Sequence, residues 1–209
     1  MTSFVHVRMR QVLASFLMVA CQSVGTVQAS TVLQMGFDEV VDTASLIFEG
    51  TVQAVESREH ADGSIHTYVT LQVQEIVKGQ YPHEAIELRF LGGEVNGRRL
   101  EVSDMQLPVR GEVGIYFVET LTNTQVHPLV GWSQGHFLIA GEDRSVITTE
   151  TGLPILSVSP EQATQSMSLS QGVAQGVQVQ AQGQVFSLSR PMSPEDFKAA
   201  VRSIVAEEQ

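Results

Sequence analysis

Alternating apolar and polar residues, broken by glycine-containing turns, dominate the middle of this 209-residue chain. The segment from Ser45 to Val55 begins as an apolar run and then alternates, and Thr67 to Val77 alternates more strictly, which is typical of half-buried strands. Between them, Asp62-Gly63 is a strong hairpin signal because both residues tolerate positive φ. The sequence therefore predicts that these two strands pair in antiparallel fashion.

Four further strands are predicted at similar spacing: Ala85 to Leu91, Glu112 to Glu119, Gln134 to Ala140 and Ser145 to Thr149. Turn residues separate them, so the chain reads as a meander of short strands. This pattern predicts a mainly β (all-β) fold, either OB-like or another small antiparallel barrel. Closure of the sheet would remove its exposed edges.

Two helices are predicted at the ends of this region. A short one precedes the first strand, where apolar residues share one helical face: Phe37, Val40, Val41 and Ala44. The other is amphipathic and C-terminal, with Phe197, Ala200, Val201, Ile204 and Val205 on one face. Ser193-Pro194 supplies its N-cap and a proline at the first helical position.

The first thirty residues have the features of an export signal. Arg8 and Arg10 precede an apolar stretch from Val12 to Ala20, and Val27-Gln28-Ala29 resembles a signal peptidase site. The apolar stretch is too short to span a membrane, which needs about twenty residues. We expect residues 1–29 to be a signal peptide and the protein to be periplasmic or secreted.

A second cleavage site remains open. Met18-Val19-Ala20-Cys21 is an imperfect lipobox, and a cut before Cys21 would leave a lipid-bearing cysteine. This alternative predicts lipidation at Cys21 and an outer-membrane lipoprotein, the only case in which a membrane is an expected partner. Cys21 is the only cysteine, so cleavage after Ala29 would leave stability to burial alone.

The charge of the chain limits the classes of partner it can bind. The net charge is −11 without a basic stripe, which excludes nucleic acid as a partner.

We expect a barrel-like domain over residues 30–160, a Gln/Ser/Gly-rich segment over 161–190 and the C-terminal helix over 191–209. Within that segment, residues 166–184 are interpreted as either a loose hairpin or a disordered strap, and composition does not choose between them.

Gly131-Trp132-Ser133-Gln134-Gly135 satisfies the G-x-S-x-G pattern of the α/β-hydrolase nucleophile elbow. That elbow requires a strand before the serine and a helix after it, whereas a strand is predicted to follow here. His136 is the only later histidine and lies too close in sequence to complete a triad. A hydrolase using Ser133 is therefore the alternative, and no catalytic residue is predicted.

No metal or cofactor site is predicted. The chain has six histidines and no His-Glu-x-x-His string. His60 and His66 flank the Asp62-Gly63 turn and could approach each other across the hairpin, but two such residues are more often surface groups. Candidate partner-binding residues are Trp132, as an aromatic anchor, and Arg98 with Arg99, a basic pair in an acidic protein.

A series of short motifs follows a distinctive order along the chain. They are Ala44 to Val52, Thr67, Val77-Lys78-Gly79, Gly92-Gly93, Gly111-Glu112 before Tyr116-Phe117, and Val130 to Phe137. Together they resemble an uncharacterised exported bacterial β-domain family that is found alone or beside matrixin-type zinc peptidases. The resemblance covers Phe37 to Thr149 and implies a fold and an association with a peptidase. It implies no catalytic role for Ser133.

The opening Ala44-x-x-Ile47-x-x-Gly50-x-Val52 also looks like the netrin-type OB barrel of the tissue inhibitors of metalloproteinases. Those inhibitors place an N-terminal cysteine on zinc, and Ser30 offers no counterpart. We expect an exported, non-catalytic binding module whose partner is a protein or a surface glycan. The alternatives are the Ser133 hydrolase and a lipid-anchored structural envelope protein.

Overall fold

The computed structural model describes residues 32–103, 105–160, 172–180 and 190–207. The predicted signal peptide and Cys21 lie outside the described residues. The export and lipidation predictions therefore stay predictions.

The described residues contain two α-helices, α1 (Phe37–Thr43) and α2 (Pro194–Glu207), and a 3-10 helix at Trp132–Gly135. The strands in chain order are β1 (Leu46–Glu59), β2 (Ile65–Lys78), β3 (Ala85–Leu91), β4 (Gly93–Val95), β5 (Arg98–Leu100), β6 (Val113–Val118), β7 (His136–Ala140), β8 (Val146–Thr149), β9 (Ile155–Val158) and β10 (Val177–Val179). Neither described helix has the length and apolar character that crossing a membrane requires.

Six strands form one antiparallel sheet in the order β3-β2-β1-β6-β7-β8, and β4-β5 and β9-β10 form two small pairs. The predicted mainly β class is confirmed, as are the helix before the first strand and the helix at the C-terminus. The hydrogen-bonded order is linear, so the described sheet has β3 at one end and β8 at the other. That arrangement leaves two edges to be satisfied in some other way.

The predicted hairpin signal directs the pairing of β1 with β2. Gly63 has a φ of 82°, and His60 N donates to Ser64 O at 2.8 Å to close the turn. The Asp62 carboxylate accepts the Ser64 N–H at 2.9 Å, which is the local bond that favours aspartate at turns. Both strands extend further toward this turn than the sequence pattern predicted.

Alternation along the strands buries both faces of the sheet. Ile47 and Phe48 are adjacent and fully buried, yet they belong to different clusters. The first cluster lies between the sheet and the helices and contains four aromatic rings in mutual contact: Phe37, Phe117, Phe137 and Phe197. The second lies on the opposite face and is built from β1, β2, β3, β6 and Leu129.

Helix α2 begins as the sequence predicts. The hydroxyl of Ser193 accepts the Asp196 N–H at 3.1 Å, which is an N-cap bond. Phe197, Val201 and Ile204 face the sheet and are buried.

Lys198 also lies on the buried face of α2. Its ammonium contacts Glu49, Glu75 and Glu195 at 2.6, 2.5 and 2.7 Å. Burial opposes the charge and would lower the pKa of Lys198, but the hydrogen bonds that its ammonium donates to these carboxylates outweigh burial and raise the pKa. The three carboxylates converge closely enough to hold a cation, and the lysine ammonium is that cation.

Part of the Gln-rich segment is described, residues 172–180. Its β10 pairs antiparallel with β9, and Phe37 N donates to Gln175 O at 2.8 Å. Ala174 is buried in the first cluster. These residues therefore pack as part of the folded domain, while the rest of the predicted 166–184 element lies outside the described residues.

Truncation of the aromatic core should be costly. Phe197 is fully buried and its ring lies 4.8 Å from that of Phe137. We expect Phe197→Ala to lower the free energy of unfolding by about 3–5 kcal/mol, measured by urea denaturation. Ser203→Ala, on the exposed side of the same helix, should change it by less than about 0.5 kcal/mol. Equal effects of the two substitutions would contradict this packing.

Candidate functional site

The outer edge of β3 exposes unpaired backbone groups. Val73 N donates to Glu84 O, whereas Leu91 N donates away from β2 to Val126 O at 2.9 Å. Because hydrogen-bonding direction alternates along a strand, Glu87 and Arg89 must also turn their N–H and C=O groups away from β2. Among the described residues, these four groups have no hydrogen-bond partner.

The opposite end of the sheet is closed by the chain itself. On β8, Ile147 N donates to Met192 O at 3.0 Å and Thr149 N donates to Leu153 O at 2.9 Å. A sheet edge normally needs such cover because unpaired strand groups recruit other chains. The open edge of β3 is therefore a specific feature of this molecule.

A groove of about 320 Å³ runs beside the β3 edge. Glu87 and Arg89 line one side, and residues 120–125 of the loop after β6 line the other. At one end the Tyr81 hydroxyl donates to the Ala85 carbonyl at 3.1 Å, and at the other Val126 bonds Leu91. The covered ends leave the middle of the strand as the accessible stretch.

One wall of the groove contains an unsatisfied polar atom. Gln125 lines the groove, and its side-chain oxygen is the one buried side-chain N or O atom without a hydrogen bond among the described residues. Buried acceptors without a donor are costly and therefore uncommon.

The loop that forms this wall is anchored at its base. Glu119 N donates to Pro128 O at 3.0 Å, and Val130 N donates to Phe117 O at 2.9 Å. Near the loop's end, His127 is buried and its Nδ1 accepts the Leu129 N–H at 3.2 Å. Burial lowers the pKa of His127 to about 3, so the ring is neutral.

Trp132, a predicted partner-binding residue, is half-buried and stacks on His127. The two rings are nearly parallel with centroids 5.4 Å apart, and His127 also meets Phe90 of β3 edge-on at 5.0 Å. Trp132 is not one of the residues that line the groove. Its prediction as an anchor for a partner remains a prediction.

The predicted basic pair lies elsewhere. Arg98 and Arg99 are exposed on β5, where Arg98 pairs with Glu59 and Arg99 pairs with Glu101 at 2.5 Å. The described contacts do not bring either arginine together with Trp132. Asn96 and Gly97 precede them with φ of 52° and 76°, so these two residues form the tight hairpin turn between β4 and β5.

The Gly131 to Gly135 motif has a geometry different from a nucleophile elbow. Ser133 lies in the 3-10 helix, and strand β7 follows directly. Gly131 has a φ of 55°, and a Cβ on Gly135 would come within 2.6 Å of the Val130 carbonyl oxygen. The backbone geometry of this turn therefore favours glycine at both positions.

Gln134 in this motif holds the N-terminal segment. Its side chain is fully buried, accepts the Met35 N–H at 2.9 Å and donates to Leu33 O at 3.0 Å. These bonds pair the amide with backbone groups as a neighbouring strand would. The role of Gln134 in this motif is therefore structural.

His136 lies at the centre of a buried ionic cluster rather than beside Ser133. Its Nε2 contacts Glu112 at 2.9 Å and its Nδ1 contacts Glu150 at 3.3 Å. Glu112 also accepts the Tyr116 hydroxyl at 3.0 Å. Both ring nitrogens are occupied, so this histidine has no nitrogen free to act as a base.

The cluster keeps the imidazole charged. Burial alone lowers the pKa of His136, but the hydrogen bonds and negative charges of Glu112 and Glu150 outweigh burial and raise it to about 9. Burial acts to raise the pKa of Glu112, but the hydrogen bond and charge of His136, together with the hydrogen bonds from the Val109 N–H and the Tyr116 hydroxyl, outweigh burial and lower it. Burial raises the pKa of Tyr116, which stays protonated as a donor.

The expected approach of His60 and His66 across the hairpin occurs. Their ring centroids are 4.8 Å apart, and His60 Nε2 lies 2.9 Å from the Tyr68 hydroxyl. Burial lowers the pKa of His66. Within the described residues, these histidines do not join other ligand side chains in a cluster of three.

Sequence reasoning missed the β3 groove and the ionic cluster. Both depend on residues that are distant along the chain, such as Glu87 with Gln125 and Glu112 with His136. Lys198 did carry a signal, since a lysine on the apolar stripe of α2 needs a buried partner. Nothing in the local pattern marks which strand edge stays open.

Comparison of the chain with known protein families, curated proteins and solved structures found no match.

The charged state of His136 should make stability depend on pH. The pKa is about 6.5 in an unfolded chain and about 9 here. Since the folded value is the higher one, the stabilisation is complete below pH 6.5 and is lost as the pH rises through about 9. The loss is on the order of 3 kcal/mol.

Urea denaturation between pH 6 and 10 measures this loss, and NMR titration of the His136 ring measures the pKa itself. His136→Asn should lack the decline between pH 7 and 10. An imidazole that titrates near pH 6.5 would contradict the cluster.

Proposed function

We propose that the protein is an exported, non-catalytic module that binds another polypeptide by strand addition at the outer edge of β3. The observation that supports this is the row of free backbone groups on Glu87 and Arg89 beside a formed groove. Strand addition uses such groups for affinity and the neighbouring side chains for selectivity.

The spacing of these groups favours a polypeptide over a surface glycan. Glu87 and Arg89 are two residues apart on one strand, which separates their outward groups by about 6.8 Å. An extended backbone repeats its donor and acceptor pairs at the same distance. A sugar chain has no such repeat of N–H and C=O groups.

The resemblance to a domain found beside matrixin-type zinc peptidases suggests a peptidase as the partner. Strand addition needs no zinc ligand from this chain, so the lack of a cysteine at Ser30 does not weigh against it. The partner would supply an extended segment, and this protein would supply the sheet edge. A role as a peptidase inhibitor or chaperone is compatible with this mode of contact.

Site-specific cross-linking tests the proposal in cells that export the protein. A photo-cross-linking residue at Leu121, which is 46% exposed beside the groove, should form an adduct with a partner. As the control, the photo-cross-linking residue is placed at Val109, which is 63% exposed and lies outside the groove, and it should form no adduct. Peptide mapping of the adduct should identify one extended segment of the partner.

A pair of variants at Arg89 tests whether the outward backbone N–H group contributes to binding. Arg89→Pro removes an outward N–H without removing a bond to β2, and proline is tolerated on such an edge. It should abolish the Leu121 adduct, while Arg89→Lys, which keeps the N–H, should retain it. Adducts that persist in Arg89→Pro, or that form equally at Val109, would refute binding at this edge.

A further inference from the structure

The side chains beside the open edge indicate which extended segment it accepts. Resting on the proposed function, we infer that the β3 groove selects a partner segment with the pattern acidic, apolar, basic, paired antiparallel to β3. The acidic residue lies opposite Arg89, the apolar residue opposite Leu88 and the basic residue opposite Glu87.

The register follows from the direction of the free groups. Glu87 and Arg89 both point their backbone groups outward, so each must form a hydrogen-bonded pair with the residue directly opposite. In such a pair the two side chains lie on the same face of the sheet, about 5 Å apart. Antiparallel addition continues the order already present between β2 and β3.

Charge supplies the selectivity at these two positions. Arg89 makes no ion pair with another described residue, and Glu87 has only a 3.6 Å contact with Arg58 between exposed side chains. Opposite charges directly across a strand pair are favourable, and like charges are unfavourable. An acidic residue opposite Arg89 and a basic residue opposite Glu87 therefore fit the edge best.

The residue between them faces the other side of the sheet. Ile86 and Leu88 point to that side and are almost fully buried in the second core cluster. Leu121 and Pro128 line the groove as well. An apolar side chain opposite Leu88 would extend this surface and cover part of the exposed Leu121.

The loop wall favours a single strand as the occupant. An isolated extended segment fits between β3 and residues 120–125 of the loop. If a second copy of this chain paired its β3 with this edge, the β2 of that copy would lie on the side that residues 120–125 of the loop occupy. The β3 sequence of a second copy, Glu87-Leu88-Arg89, does match the charge pattern. The test must therefore distinguish a second copy from a segment of another polypeptide.

Synthetic peptides test the inference on the whole exported chain. The probe is a seven-residue peptide, Thr-Val-Glu-Val-Lys-Val-Thr, with its ends blocked, and the control is Thr-Val-Lys-Val-Glu-Val-Thr. We expect the probe to bind about 2- to 30-fold more tightly than the control in a fluorescence anisotropy titration. The double variant Glu87→Lys, Arg89→Glu should reverse this preference, and Arg89→Pro should weaken both peptides.

The possible results separate failure of the inference from failure of the proposed function. Equal binding of both peptides, with protection of the Glu87 and Arg89 amides from hydrogen exchange, overturns the charge pattern and leaves strand addition standing. Absence of binding by either peptide, together with absence of the Leu121 cross-link, overturns both. Circular dichroism of each variant establishes that it is folded.

Sedimentation of the peptide-free protein tests the rival occupant. A dimer that Glu87→Lys alone disrupts, and that the double variant restores, would show that a second copy fills the edge and would overturn the inference. A monomer across the concentrations used for the titration agrees with it.

Discussion

A β-sheet leaves a row of N–H and C=O groups on each outer strand, and water, another segment or a partner must satisfy them. This protein meets that constraint differently at its two edges. The β8 edge is bonded by the segments around Met192 and Leu153, whereas the middle of the β3 edge stays open beside a formed groove. The asymmetry leaves the described six-stranded sheet with one edge to which an extended chain can be added.

The open edge is held in position by the packing behind it. The central strand β1 pairs with both β2 and β6, and its alternating residues enter both core clusters. Lys198 ties α2 to Glu49 and Glu75, and His136 ties β7 to the segments that carry Glu112 and Glu150. Because these charges are buried and paired, loss of a single partner would leave an uncompensated charge. A sheet that is packed on both faces suits recognition through backbone groups, which requires a strand held in place.

The sequence predicted the local elements well and the long-range arrangement poorly. Strand β3 has the predicted bounds, the Asp62-Gly63 turn forms, and Ser193 caps α2, because each depends on neighbouring residues. The predicted strand from Gln134 begins at His136, since Gln134 bonds Leu33 and Met35 within a 3-10 turn. The open edge, the Trp132 contact with His127 and the His136 cluster depend on pairings that no local pattern encodes.

Amide hydrogen exchange along β3, followed by NMR on the peptide-free monomer, tests the open edge most directly. The Leu88 and Phe90 amides should be protected by bonds to β2, and Leu91 by its bond to Val126, while the Glu87 and Arg89 amides exchange at least tenfold faster than their neighbours. Protection of Glu87 and Arg89 equal to that of Leu88 would mean that this edge is already covered, and would contradict the account.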